Sequence, residues 1–276
     1  MSCISRTAVS SKQSTKVAVR TSPLERLLHR DQVLVAFGLA TVTLLSWGYL
    51  LTGAGMEMSS MSARMETAQA PGWSPAQAVL MFIMWWVMMV AMMLPSAAPM
   101  ILLFSSVAKR ASKPGSTSIF VSGYLLIWGG FSVVATLMQW QLAQTGLLTG
   151  MRANSQMLAG LLLLVAGFYQ LTPAKHACLK HCQSPLQFVT EHWRPGPHGA
   201  LLMGLQHGSY CLGCCWALMA LLFVGGVMNL AWIGGLAAYV LIEKLIPKWR
   251  YLNLLSACLL ITAGVILLGV SVSQGR

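Results

Sequence analysis

Five of the seven cysteines in this chain fall between positions 178 and 215. The first group lies in Leu171–Cys182, which reads L-T-P-A-K-H-A-C-L-K-H-C. Thr172 followed by Pro173 is a helix-start signal, because proline at the first helical position gives up a donor that has no partner there anyway. In a helix, Cys178, His181 and Cys182 occupy positions i, i+3 and i+4 on one face, and His176 points away. In a loop, all four can converge. Thiolate and imidazole together suit zinc, Cu(I) or an iron–sulfur centre. The alternative is a set of surface Cys and His in a polar connection.

The second group is His207-Gly-Ser-Tyr-Cys211-Leu-Gly-Cys214-Cys215. At about 100° per residue, His207, Cys211, Cys214 and Cys215 fall within an arc of about 100° on a helix. Buried cysteine needs no explanation, whereas histidine in hydrocarbon needs a partner. Gly204, Gly208 and Gly213 allow another backbone to approach closely, so the competing reading is a packed small-residue interface with His207 hydrogen-bonded across helices.

Methionine forms two further groups. Met81, Met84, Met88 and Met92 share a helical face, and thioethers select Cu(I). Methionine is also a common core filler, which is the simpler account of that stretch alone. The Met56, Met58, Met61 and Met65 run before it lies in a polar segment with nothing obvious to bury, although it could also form a short amphipathic interfacial segment. Met88 and Met92 join the candidate ligands on this argument. The order of the groups, methionine first and Cys/His later, is what a relay for a soft cation requires.

These groups need helices to carry them. The chain has 276 residues, 56% hydrophobic and 9% charged, with mean hydropathy +0.67. A soluble domain carries roughly 25% charged residues, so an ordinary soluble enzyme, a nucleic-acid-binding domain and a disordered protein are excluded. The expected fold class is all-α, a polytopic transmembrane helical bundle. Seven stretches meet the length and hydropathy needed to span a bilayer: Val33–Leu51, Ala76–Phe104, Ser118–Leu142, Met157–Leu171, Ala200–Phe223, Val227–Ile242 and Leu252–Val270. Pro95 and Pro99 should kink or end the second. The connections on one side hold fifteen Lys and Arg against three on the other. The positive-inside rule then places the N-terminus in and the C-terminus out. Residues 1–31 read as a basic, disordered cytoplasmic tail, the first span as a retained signal anchor, 32–272 as the transmembrane domain, and 173–199 as a cytoplasmic Cys/His loop. Glu243-Lys244 pair with each other or anchor the interface. There is no phosphate loop, nucleophile elbow or pair of catalytic carboxylates, so no catalytic residue is assigned.

Trp85–Pro99 (W-W-V-M-M-V-A-M-M-L-P-S-A-A-P), Leu171–Cys182 and His207–Met219 (H-G-S-Y-C-L-G-C-C-W-A-L-M) resemble motifs of a bacterial family of predicted metal-binding integral membrane proteins of unknown function. The resemblance covers roughly residues 76–250. It implies a multi-pass inner-membrane protein with ligands at His176, Cys178, His181, Cys182, His207, Cys211, Cys214 and Cys215. It supplies neither a reaction nor an ion. The expected function is binding of a soft transition metal, Cu(I) favoured over Zn(II), for uptake, transfer or delivery. The alternatives are a membrane thiol-disulfide oxidoreductase and a metal-insertion subunit of a respiratory complex. Expected partners are the lipid bilayer, the metal ion and a metallochaperone or respiratory complex, with no nucleic acid.

Overall fold

The computed structural model describes residues 23–52, 74–110, 116–146, 148–149, 152–153, 155–246 and 250–274. The Met56–Met65 run and residues 1–22 lie outside the described residues. Ten helices occur among them: α1 (Pro23–Leu51), α2 (Pro75–Arg110), α3 (Ser116–Gln144), α4 (Gln156–Gln170), α5 (Pro173–Gln183), α6 (Pro185–His192), α7 (Gly196–Ala220), the one-turn α8 (Leu222–Gly225), α9 (Leu230–Leu245) and α10 (Arg250–Gln274). Between α3 and α4, β1 (Leu148–Thr149) and β2 (Arg152–Ala153) pair antiparallel. The chain is therefore essentially all-α. Helix α1 starts inside the segment read as a disordered tail.

Among the described residues, five helices are long and apolar enough to cross a membrane: α1, α2, α3, α10 and α7 with its short continuation α8. The pair α4 and α5, bent by 65°, makes a sixth if counted as one broken span. Helix α9, at 16 residues, is about 24 Å long at 1.5 Å per residue, shorter than a hydrocarbon core of about 30 Å. The outer faces are apolar, with Leu44, Leu45, Leu259 and Val272 all exposed. That pattern is compatible with a membrane protein.

The core lies where α2, α3 and α7 meet, around Trp85, Trp128, Tyr124, Phe104 and Phe120. Glycine permits the α3–α7 crossing. A Cβ at Gly123 would lie 2.5 Å from the Leu201 carbonyl oxygen, and one at Gly204 would overlap the Phe120 carbonyl. Helix α10 packs on α4, and α1 packs on α2.

Helix α2 runs through both prolines without ending. Pro95 has no N–H to give the Ala91 carbonyl one turn earlier. The Trp47 Nε1 of α1 donates to that oxygen instead, at 3.2 Å. The missing helical bond thus becomes a bond between helices.

The segment 173–199 holds α5, α6 and the first turn of α7. Thr172 caps α5 by accepting from the Lys175 N–H at 3.3 Å, and Pro173 occupies its first turn. Proline at 185 starts α6 in the same way. Asn229 caps α9 by accepting from the Trp232 N–H at 3.2 Å, so its side chain ends a turn and does not bridge two long helices.

Candidate metal centre at the junction of α5 and α7

Helix α5 lies across α7. Gly213 sets how near it comes: a Cβ there would lie 2.7 Å from Cys178 Sγ. The Tyr169 hydroxyl at the end of α4 donates to the Gly213 carbonyl. With α5 held there, its face bearing Cys178, His181 and Cys182 turns toward α7, and His176 is exposed. Cys182 is within interaction reach of both the Cys211 and Cys214 thiols. Cys178 is the outer neighbour of Cys214.

On α7, His207, Cys211, Cys214 and Cys215 are all buried. The Cys214 and Cys215 thiols donate back to the Cys211 carbonyl at 3.1 and 3.0 Å. Such local back-bonding satisfies the thiol donors within their own helix. His207 is stacked near the Tyr124 ring at 5.8 Å and meets Phe188 edge-on at 5.4 Å. Its Nδ1 is buried with no hydrogen-bond partner. All six described cysteines are free.

Three other elements complete the junction. Lys244 at the end of α9 is buried, and its ammonium donates to Cys211 Sγ at 2.9 Å and to Ser96 Oγ at 3.1 Å. Ser96 in turn donates to the Met93 carbonyl at 2.8 Å. The Tyr124 hydroxyl lies 3.1 Å from Cys211 Sγ and 3.2 Å from the Met93 carbonyl oxygen. Cys215 Sγ approaches Met93 Sδ at 4.0 Å. The sulfur of Cys211 therefore sits between an ammonium that donates to it and a phenol whose one proton is shared with the Met93 carbonyl. This is an environment for a sulfur carrying negative charge.

A buried charge pair holds α5 in place. Lys175, fully buried in the first turn of α5, pairs with Glu243 of α9 at 2.6 Å and donates to the Gln170 side chain. At the other end of α5, Gln183 Nε2 donates to the Glu243 carbonyl at 2.8 Å. Gln170 continues the network to Tyr239 and Ser256 at 3.1 and 3.2 Å. Unpaired charges at such depth would be strongly unfavourable, so the pair fixes where α5 can sit.

Met88 and Met92 are buried in the core of α2, and the methionine that touches the thiol group is Met93, one position on. Sequence reasoning missed Met93, Tyr124, Ser96 and Lys244. One signal was present. Adjacent helical residues do not face each other, so Glu243 and Lys244 must reach different partners. In the structure one binds Lys175 and the other Cys211. Among the described residues, no group of three or more His, Cys, Asp or Glu is arranged as a preformed metal site.

Free thiols gathered beside a buried ammonium offer soft donors of the kind that suit Cu(I) or thiol–disulfide chemistry. Residues 82–267 match the PpoB2 family, described as a copper chaperone, and the chain belongs to that family. No curated protein and no solved structure matches the chain.

Proposed function

We propose that this protein is a membrane-embedded copper chaperone that holds Cu(I) between Cys182 of α5 and Cys211 and Cys214 of α7 and passes it to a recipient protein. The observation that carries the reading is the meeting of thiols from two separate helices beside Lys244. Family membership supports a copper role. Three soft thiolates suit Cu(I). Each thiol that binds as thiolate releases a proton, and three thiolates around a monovalent ion leave excess negative charge. Lys244 offsets part of that charge without blocking a ligand. Cys178, Cys215 and His207 flank the three thiols and can take over the ion during exchange, while Met93 extends the sulfur surface toward α2. His176, exposed on the far face of α5, has no part in this set.

The reading places the chain in a bacterial inner membrane with seven crossings, N-terminus in and C-terminus out. The fifteen-to-three distribution of Lys and Arg supports that orientation. In this arrangement α9 is a short crossing, and α5 and α6 dip from the cytoplasmic side, so the thiols face a reducing compartment.

The test is Cu(I) affinity of the purified protein by competition with a chromophoric Cu(I) chelator under reducing conditions. The triple variant Cys182→Ser, Cys211→Ser, Cys214→Ser is expected to lose sulfur-coordinated copper, with affinity down by more than about 100-fold, beyond what loss of an outer-shell partner costs. Unchanged affinity overturns the assignment. A reversible Cys182–Cys211 or Cys182–Cys214 disulfide, together with no copper uptake, points instead to thiol-disulfide exchange.

A further inference from the structure

Outside the thiol junction, two histidines on consecutive helices face each other. His181 in the last turn of α5 and His192 at the end of α6 have ring centres 6.1 Å apart and planes at 82°. Both are half-buried. Each ring is held by an aromatic neighbour: His181 stacks on Tyr210 at 4.2 Å and 18°, and His192 on Phe188 at 4.9 Å and 19°. His192 Nδ1 also lies 3.3 Å from the Phe188 carbonyl oxygen. That bond assigns Nδ1 the proton and leaves Nε2 with a free lone pair. A ring nitrogen tied to a backbone carbonyl is the usual second contact of a metal-bound imidazole. A metal held in line by one nitrogen of each ring, at roughly 2.0–2.1 Å per bond, keeps the ring centres about 6 Å apart. His176 and His198, both exposed, are in no such ring contact among the described residues.

We propose that His181 and His192 form a second Cu(I) site, two-coordinate through imidazole nitrogen, distinct from the thiol site and adjoining it through the chain. Among the described residues no third His, Cys, Asp or Glu is grouped with the two imidazoles, and a pair of nitrogen ligands suits linear Cu(I) and not tetrahedral Zn(II). His181 immediately precedes Cys182 on α5, so an ion on the imidazole pair is one residue from the thiols. Thiolate is the softer ligand, which directs the ion inward. The pair is therefore a docking station at which copper enters or leaves. This inference rests on the copper reading above.

The test uses the full-length protein in detergent with Cu(I) and a reductant, and measures stoichiometry and X-ray absorption. The wild type should bind two equivalents, one with sulfur neighbours and one with nitrogen neighbours only. The His181→Gln, His192→Gln double variant should lose one equivalent and the nitrogen signature while keeping the sulfur-bound ion. His192→Phe preserves the stack on Phe188 while removing the nitrogen, and should also lose that equivalent at wild-type thermal stability. The triple thiol variant should retain one nitrogen-coordinated equivalent. Wild-type stoichiometry and spectra in both histidine variants overturn the second site, whatever the thiol variant does. Full sulfur-coordinated binding in the thiol variant overturns the first site and leaves the histidine result to be judged separately.

Discussion

Sulfur stands in two settings in this chain. On α2, Met81, Met84, Met88, Met89, Met92 and Met93 are buried in an apolar core, where a flexible thioether fills irregular space. At the α5–α7 junction, cysteine sulfur meets an ammonium, a phenol and other thiols drawn from four helices. Both kinds of sulfur are soft, but only the second setting brings a charged group to it; the donors that reach the α2 thioethers are neutral and distant, Gln139 Nε2 to Met81 Sδ at 3.9 Å and Cys215 Sγ to Met93 Sδ at 4.0 Å. The difference teaches that ligand type alone does not mark a site. Polar groups brought into an apolar core at the cost of desolvation do mark one.

The largest effect that sharpens this contrast falls on the clamp that holds α5 and not on sulfur. Lys175→Met leaves Glu243 buried without its partner and is expected to destabilise the protein by about 3–5 kcal/mol. Adding Glu243→Leu should restore most of that loss, because a well-packed apolar pair avoids desolvation altogether. Denaturant unfolding in detergent measures both, and a neutral single variant would show that the pair does not hold the helix.

A smaller effect is expected at the polar partners of Cys211. Lys244→Met should weaken Cu(I) binding by about 10–100-fold, the range for loss of an outer-shell partner. Tyr124→Phe removes one hydrogen bond, worth about 1 kcal/mol, and should cost less. Chelator competition ranks the two, and the reverse order would make the phenol the principal donor to the sulfur.

The smallest effects belong to methionine. Met88→Leu and Met92→Leu conserve volume, so each should cost less than about 1.5 kcal/mol in stability and leave Cu(I) affinity unchanged. Met93→Leu should change affinity measurably, since its sulfur meets Cys215. Equal responses at all three positions would erase the distinction between the two settings.

Much of the site was legible from local spacing. The i, i+3, i+4 placement of Cys178, His181 and Cys182 follows from helical geometry once Thr172 and Pro173 start the helix, and the stripe on α7 follows from the same arithmetic. The docking of α5 on α7 depends on a long-range fit: a glycine at 213 opposite Cys178, and a lysine at 175 reaching a glutamate 68 residues on. No local pattern encodes that distance. Lys175 and Lys244 also read as loop charges in a count of cytoplasmic cations, because composition does not reveal which lysines turn inward. The span count turns on α4 and α9, which at 15 and 16 residues are the shortest of the seven apolar stretches, and hydropathy does not register the 65° bend between α4 and α5.

The indole of Trp47 gives the first helix a role that its largely exposed surface does not advertise. By donating to the oxygen that Pro95 strands, it makes the N-terminal segment a missing rung of its neighbour's backbone ladder. Shearing that segment away would leave a bare acceptor four residues before Pro95 and next to the turn that carries Met93 and Ser96. Damage at the first helix would then be felt as slackness around the thiols in the middle of the chain.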